Sequence, residues 1–297
     1  MIHEVDPADA ASPIAGLDAV ARACADADRV APLNEQAQLR LKNHGLAGSR
    51  LWVSTSDPGS PVDGFALLRG ENLDLAVHPD VRREGRGGLL AAAALADVGH
   101  VEAWSHADHP AAARLAEHFG LMPARELVVM RRPTALPLTE PPVPPGVRIR
   151  TFRPDDEAAL LDVNATAFAH HPEQGGMSHA DFTERAAEAW FDPEGLFLAV
   201  PDDPAEAPLL GFHWTKVHRD EEPAYGEVYV VAVSPQASGR GLGTLLTAVG
   251  LRHLAEQGVG EVILYVEGDN RPAIAVYTKL GFEVARTEVQ YLGTPTV

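Results

Sequence analysis

Residues 227–246 of the chain read EVYVVAVSPQASGRGLGTLL. A run rich in β-branched and aromatic residues leads to Pro235, a glycine-rich turn follows, and apolar residues then recur at helical spacing. The first backbone N–H groups of a helix have no partner within the helix, and the helix dipole favours negative charge at that end. Glycine also removes the Cβ that would keep a ligand away from the backbone. The stretch therefore predicts a strand, a turn that can hold an anion, and a helix.

The turn matches neither of two common phosphate-binding motifs. No Lys-Ser or Lys-Thr follows the glycines, as it would in a P-loop, and the spacing is not the G-x-G-x-x-G of a dinucleotide-binding unit. Taken alone, the stretch also fits an ordinary tight connection between a strand and a helix.

A similar turn lies upstream, in residues 73–90, LDLAVHPDVRREGRGGLL. With Pro79 placed on Pro235, an offset of 156 positions, Gly85 falls on Gly241. Residues 106–121, HADHPAAARLAEHFGL, then match residues 267–282, EGDNRPAIAVYTKLGF, at an offset of 161. An ordered series of matches indicates two copies of one fold. Each copy alternates strand-like and helical patterns, so the predicted class is α/β: two tandem domains, each a mixed central β-sheet flanked by helices.

A proline-rich segment separates the copies. Six prolines lie between Pro133 and Pro145, and such a segment is stiff, extended and unable to continue a helix or a central strand. The predicted division is a domain at residues 1–135, a linker at residues 136–145 and a second domain at residues 146–297.

Composition narrows the partners. The net charge of −18 disfavours nucleic acid and anionic membranes, and no apolar run approaches the length of a membrane span. The start of the chain does not resemble a signal peptide, and a single cysteine, Cys24, excludes an internal disulfide framework, so a cytoplasmic location is expected. Cys24 itself is expected to be buried in a helix, and the protein is expected to be a monomer. His170 and His171 are adjacent and no metal-ligand spacing accompanies them, so no metal site is predicted.

The second half carries a further motif, Asn-x-x-Ala-x-x-x-Tyr-x-x-x-Gly-Phe, present as Asn270, Ala273, Tyr277, Gly281 and Phe282. Together with the glycine turn, this motif resembles the GNAT superfamily of N-acetyltransferases. In that superfamily the turn binds the pyrophosphate of acetyl-CoA, and a splayed pair of strands receives the pantetheine arm. One departure is Ser238, where the superfamily usually has Gln or Arg.

The resemblance implies acetyl-CoA contacts in both copies. In the first copy they are Leu75, Ala76, Val77, Arg82, Arg83, Glu84, Gly85, Arg86 and Gly87. In the second copy they are Val231, Ala232, Val233, Ser238, Gly239, Arg240, Gly241, Leu242, Gly243, Thr244, Asn270 and Ala273.

Three other stretches are not general features of the superfamily: APLNEQ at residues 31–36, HPEQGG at residues 171–176 and GFHWTKVH at residues 211–218. With two tandem copies they resemble the mycothiol synthase family, which uses acetyl-CoA to acetylate the cysteinyl amine of desacetylmycothiol. The resemblance implies that substrate lies against both domains. The implied substrate contacts are Glu35, Glu173, Lys216, Glu227 and Tyr265.

Amine acetylation needs a base for the amine and an acid for the departing thiolate. Glu227, on the strand before the turn, is the predicted base, and Tyr277 is the predicted acid. In the first copy Glu71 aligns with Glu227, but Ala116 replaces the tyrosine and His109 replaces Asn270. The first copy is therefore expected to be non-catalytic, with or without bound acetyl-CoA.

Other interpretations remain open at this point. Glu227 also fits a solvated strand-end carboxylate, Tyr277 a core aromatic, and Tyr265 either a pocket or the core. The enzyme could act on another amine, such as an aminoglycoside, a polyamine or a protein N-terminus. A non-catalytic acyl-CoA sensor is the alternative from a different functional class.

Overall fold

A computed structural model describes residues 1–171, 174–203 and 209–296. The chain forms two compact units. The first unit contains residues 1–127 and the residues from Arg286 onward, and the second unit contains residues 128–285.

The first unit is a mixed sheet with two helices on each face. The strands are β1 (Ile2–Glu4), β2 (Ser49–Thr55), β3 (Val62–Arg69), β4 (Asn72–Val77), β5 (Val101–Ser105) and the later part of β12 (Glu283–Gly293). The helices are α1 (Ala11–Asp28), α2 (Glu35–His44), α3 (Arg86–Leu95) and α4 (Pro110–His118). The order β1-β2-β3-β4-β5-β12 is antiparallel except for the parallel pair β4 and β5.

The second unit repeats this arrangement. Its strands are the later part of β6 (Met122–Pro133), β7 (Val147–Thr151), β8 (Leu196–Pro201), β9 (Gly211–His218), β10 (Tyr225–Val233) and β11 (Glu261–Glu267). Its helices are α5 (Glu157–Ala167), α6 (His179–Ala186), α7 (Leu242–Glu256) and α8 (Arg271–Lys279). Read from the far edge, the order is β7-β8-β9-β10-β11-β6, and β10 and β11 again form a parallel pair.

The α/β class and the two tandem copies are confirmed. The first residues of α4 and α8, Pro110 and Arg271, are related by the same offset of 161 that aligned the two motifs. The first residues of α3 and α7, Arg86 and Leu242, are related by the offset of 156. Sequence-matched turns thus begin structure-matched helices.

The sixth strand of each sheet comes from the other half of the chain. Residues Val289–Gly293 of β12 pair with β5 in the first unit, while the end of β6 lies beside β11 in the second. The predicted division into residues 1–135, a linker at 136–145 and residues 146–297 did not include this exchange, and the division stays a prediction. Residues 137–144, inside the proline-rich segment, lie in no helix or strand.

Both faces of the second sheet are buried under helices. On one face, α5 and α6 cover an aromatic cluster that includes Phe182, Phe212 and Trp214. On the other face, α7 and α8 cover a cluster that includes Val228 and Leu264. Within the described residues, no helix is long and apolar enough to cross a membrane.

Candidate active site

The glycine turn of the second unit is an open helix start. Gly239 and Gly241 have φ of +78° and +76°, values that L side chains rarely adopt. Gly241 is the N-cap of α7 and no side chain caps this helix. The first backbone N–H to bond back along the helix is that of Leu245, to the carbonyl of Gly241 at 3.1 Å. The turn therefore has the uncapped helix start that an anion site requires, and binding of an anion there stays a prediction.

The turn of the first unit has the same backbone. Gly85 caps α3 with φ of +82°, again without a side-chain cap. The predicted phosphate contact Arg82, however, is engaged elsewhere: its guanidinium bonds both oxygens of Asp28, at 2.6 and 2.8 Å, and the carbonyl of Val77. It also contacts the thiol of buried Cys24, whose pKa is raised by burial. The charge of Arg82 is thus neutralised by Asp28, and its backbone N–H donates to the carbonyl of Pro79 at 3.4 Å.

The remaining predicted acetyl-CoA contacts lie around these turns. Residues Leu75–Val77 and Val231–Val233 end β4 and β10, and Leu242–Thr244 form the first turn of α7. The parallel pairing of β10 with β11 covers residues 226–228, and that of β4 with β5 covers Asn72 alone. The strand ends therefore lie beyond the paired positions, where a ligand can enter between strands. In the first unit a cavity of about 90 Å³ lies there, lined by Leu75, Ala91 and Ala116 among others.

Strand pairing corrects the match of Glu71 with Glu227. On β10 the register steps from Val228↔Thr215 to Val230↔Trp214, so β10 carries one extra residue. The register of β4 with β3 has no such step. Counted from the shared glycine turn, Glu227 therefore corresponds to Asn72, not to Glu71, which lies exposed in the turn before β4. The first unit has an amide where the second has the candidate base.

Glu227 is buried, with 7% of its surface exposed. Its Cα partner across the ladder is Lys216, so the two side chains share one face of the sheet. The carboxylate Oε2 lies 2.6 Å from Nε2 of His218, at the end of β9. Tyr225 stacks on the His218 ring, with centroids 4.3 Å apart. The interpretation of Glu227 as a solvated strand-end carboxylate does not fit this burial.

Lys216 lies against aromatic rings on the same face. Its Nζ is 4.6 Å from the centroid of Trp190 and 5.4 Å from that of Tyr229. Tyr229 in turn accepts a hydrogen bond at 2.9 Å from Nε of Arg185, on α6. These contacts hold the ammonium of Lys216 on the face that carries Glu227, and only 8% of the lysine is exposed.

Tyr277 lies on the opposite face, on α8. It packs against the cluster that contains Val228, and its ring meets Phe282 edge-on at 5.9 Å. Burial raises the pKa of its phenol to about 12. Asn270 caps the same helix by accepting from the N–H of Ala273 at 3.2 Å. In the first unit, His109 takes this capping role and Ala116 is buried in the core.

The other predicted substrate contacts are scattered. Tyr265 on β11 is 40% exposed, which argues against a core role. Glu35 is the first residue of α2, after the Asn34 cap, in the first unit. Glu173 lies outside the described residues. Its neighbour His171 lies 3.4 Å from Glu267, at the end of β11.

Comparisons with known proteins agree with this geometry. The model of the acetyltransferase (GNAT) family matches residues 163–282. The mycothiol acetyltransferase of Nocardioides sp. is 51% identical, over 95% of this chain and 98% of that protein. The mycothiol acetyltransferase of Catenulispora acidiphila is 48% identical, over 94% of each chain. The chain belongs to the mycothiol acetyltransferase family.

Solved structures support the tandem fold of this mycothiol acetyltransferase family member. A tandem GNAT protein from the clavulanic acid biosynthesis pathway aligns over 99% of this chain and 98% of its own, with a TM-score of 0.73 and 23% identity. A GCN5-related N-acetyltransferase from Sphaerobacter thermophilus covers 99% of this chain and 95% of its own, with a TM-score of 0.68 and 25% identity. The chain is an N-acetyltransferase with two GNAT-like units.

Sequence reasoning missed several side chains of the candidate site. His218, Trp190, Tyr225 and Arg185 were not selected, although His218 lies inside the quoted GFHWTKVH stretch. The alternation of that stretch was the signal that could have found it, since Lys216 and His218 lie two residues apart on one strand face. The contacts of Trp190 and Arg185 join distant segments, so the sequence held no local sign of them.

One group of potential metal ligands occurs among the described residues. Side-chain ligand atoms of Glu71, His100 and Glu102 lie within 4.8 Å of one another in the first unit. Glu71 is exposed, and Glu102 already accepts a hydrogen bond from Gln290 at 3.0 Å. None of the three is a predicted site residue of this mycothiol acetyltransferase family member. The absence of a metal requirement stays a prediction.

Proposed function

We propose that the chain transfers the acetyl group of acetyl-CoA to the cysteinyl amine of desacetylmycothiol, giving mycothiol and CoA. The observation that carries this proposal is the placement of Glu227 and Tyr277 on opposite faces of one sheet, next to the point where the pairing of β10 with β11 ends. A thioester between these strands has a buried carboxylate on one side and a phenol on the other. The names of relatives that are 46–51% identical support the choice of amine.

The reaction is a direct transfer. The amine donates its proton to Glu227, directly or through one water molecule, and its nitrogen attacks the thioester carbonyl. The C–N bond forms, the C–S bond breaks, and sulfur leaves with the electron pair of that bond. Backbone N–H groups of β10 beyond the paired residues are suited to polarise the carbonyl oxygen. No covalent intermediate on the protein is required.

Tyr277 acts on the departing sulfur. Its pKa of about 12 keeps the phenol protonated throughout the working pH range, so the hydroxyl is always available as a donor. A thiol has an ordinary pKa of about 8.5, well below that of this phenol, so complete proton transfer from the phenol to the thiolate is unfavourable. The main contribution of Tyr277 is therefore a hydrogen bond to the thiolate, with the final proton coming from solvent.

The face that carries Glu227 suits a polyhydroxylated amine. The ammonium of Lys216 donates hydrogen bonds to hydroxyl or amide oxygens, while Glu227 accepts from the amine. Trp190 provides an apolar surface for the carbon face of a sugar ring. A protein N-terminus or a polyamine has no ring hydroxyls to use these groups.

We assign catalysis to the second unit alone. In the first unit Asn72 occupies the position of Glu227, and Ala116 that of Tyr277, so both the base and the donor are missing. The open helix start at Gly85 and the adjacent apolar cavity support binding of a CoA-type ligand there. The first unit thus has features that suit binding of a CoA-type ligand, and only the second unit also has the side chains that catalysis requires.

Turnover of synthetic desacetylmycothiol with acetyl-CoA tests the proposal. CoA release should accompany a product acetylated on nitrogen, as fragmentation in a mass spectrometer distinguishes from acetylation on sulfur. The same assay should include glucosaminyl-inositol without the cysteine, an aminoglycoside, spermidine and an N-terminal peptide. If the enzyme prefers one of these other amines, that amine is the substrate and desacetylmycothiol is not. Failure of every amine, with acetyl-CoA bound, would favour the non-catalytic sensor.

A further inference from the structure

The contact between His218 and Glu227 is the feature of the site that the family motifs do not explain. The imidazole Nε2 lies 2.6 Å from the carboxylate Oε2. Both side chains are largely buried, with exposed fractions of 17% for His218 and 9% for Glu227. Two lone pairs at this separation would repel, so one proton lies between the atoms, and the contact is a charge-assisted hydrogen bond.

Strand geometry fixes this contact. His218 ends β9 and Glu227 is the third residue of β10, and the register pairs His218 with Tyr225 and Glu227 with Lys216. His218 and Glu227 are thus diagonal neighbours on one face, within reach of long side chains. The stacked ring of Tyr225 limits rotation of the imidazole, with an angle of 19° between the planes. The imidazole therefore has one orientation in which Nε2 points at the carboxylate.

We propose that His218 is the positioning residue of the catalytic base. Its Nε2–H donates to Oε2 of Glu227 and leaves Oε1 to receive the proton of the substrate amine. This inference rests on the proposed acetyl transfer and adds a residue with a defined role to it. The hydrogen bond also replaces hydration that the buried carboxylate has lost, which keeps a charged acceptor available inside the sheet.

The test compares His218→Gln and His218→Ala with wild type, using His179→Gln as the matched control. His179 is a 77% exposed histidine that also contacts a glutamate, Glu157, away from the site. Glutamine retains an N–H donor, whereas alanine has none. We expect His218→Gln to lower kcat by about 10- to 100-fold, through a misplaced carboxylate, and to leave the KM for acetyl-CoA unchanged. His218→Ala should lose more activity than His218→Gln, because nothing remains to hold the carboxylate. The control should match wild type.

A purely structural role predicts a different result. In that case the melting temperature would fall while the kcat of the folded protein matched wild type in both His218 variants, and the proposal would be wrong. A raised KM for acetyl-CoA with an unchanged kcat in His218→Gln would also overturn it.

A second measurement separates this proposal from the choice of substrate. The imidazole nitrogen resonances of His218 can be compared by NMR at a single pH in wild type and in Glu227→Gln, without any substrate. We expect the Nε2 resonance to move between the two proteins, because the variant replaces the carboxylate that accepts the Nε2–H. Identical resonances would exclude the pair even if desacetylmycothiol is acetylated. A moved resonance would support the pair even if another amine is the substrate.

Discussion

Asn72 and Glu227 occupy the same ladder position in the two sheets. Asn72 is the Cα partner of Arg69, and Glu227 is the Cα partner of Lys216. Each also pairs with the parallel neighbour of its strand, Asn72 with Glu102 and Glu227 with Ile263. The same fold therefore presents an amide in one unit and a buried carboxylate in the other, and only the carboxylate can accept a proton from an amine.

Glu227→Gln should remove the base and keep the shape of the side chain. We expect kcat to fall by roughly 10²- to 10⁴-fold, the usual contribution of a positioned base. Activity should recover partly at alkaline pH, where more of the amine is already neutral. Steady-state kinetics between neutral and alkaline pH provide the measurement.

Glu71→Gln is the matched control for this variant. Sequence alignment placed Glu71 on Glu227, whereas strand pairing places it in an exposed turn of the first unit. Glu71→Gln should keep wild-type kcat. A large loss in Glu71→Gln with none in Glu227→Gln would reverse the assignment of the active unit.

The two glycine turns allow the units to be tested separately. Gly241→Val should block the approach of pyrophosphate to the start of α7. We expect turnover to fall by roughly 10²-fold or more, because losing a backbone N–H donor to a charged ligand or transition state lowers rates by about this factor. Gly85→Val should remove CoA bound to the first unit and leave kcat within a few-fold. Equilibrium dialysis with CoA and steady-state kinetics measure the two effects.

Backbone strain is the confounding effect in both glycine variants. A β-branched residue with positive φ costs about 1–2 kcal/mol wherever it is placed. Gly258 has φ of +80° and Gly70 has φ of +59°, and at neither glycine would an added Cβ meet another atom within 4 Å. Gly258→Val and Gly70→Val therefore reproduce the strain in each unit away from the turns. If these controls lose as much activity as Gly241→Val, the loss in Gly241→Val comes from destabilised folding and not from blocked pyrophosphate binding.

Much of the fold was predictable because its signals are local. Gly85 and Gly241 match in the sequence because both positions need a backbone conformation that glycine favours. Both glycines cap helices and have positive φ. Proline and asparagine at the start of α8 also act locally, on the helix that contains them. The GNAT resemblance followed from the same short motifs.

The rest depended on contacts between distant segments. The extra residue in β10 is visible only in its pairing with β9, so Glu71 was matched wrongly with Glu227. Arg82 fits a phosphate contact by its position in the turn, yet Asp28, from α1, neutralises it. The glycine motifs could not predict the exchange of β6 and β12. Each of these strands comes after the motifs of its own copy, so the motifs contain no information about its partner.

His213 should make the second unit sensitive to acid. The side chain is fully buried, its Nδ1 lies 2.8 Å from the carbonyl of Leu246, and its ring fits only because Gly250 has no Cβ. Burial lowers the pKa of His213 from 6.5 to about 4. Since the unfolded chain takes up this proton first, stability is complete above about pH 6.5 and falls as the pH drops towards 4.

The expected loss is of the order of 3 kcal/mol across this pH range. Urea unfolding at pH 7.5, 6, 5 and 4 measures it, and His213→Gln, which does not titrate, should show a shallower dependence even if its stability at pH 7.5 is lower. Parallel pH dependences in the two proteins would show that another group is responsible.

Tyr277→Phe removes a single hydroxyl and retains the ring that packs against Phe282. We expect unchanged thermal stability and a decrease in kcat of roughly 10- to 10³-fold, because the departing thiolate loses its hydrogen-bond donor. Since the pKa of Tyr277 is about 12, the phenol is protonated at every pH used in the assay, and any alkaline limb below that pH belongs to another group. The variant should therefore lower the pH–rate profile uniformly and leave its shape unchanged.

Tyr291→Phe makes the same deletion in the first unit and should leave kcat unaltered. An unchanged kcat in Tyr277→Phe would reduce the tyrosine to a packing role, and a change in the alkaline limb would mean that the phenol ionises during turnover.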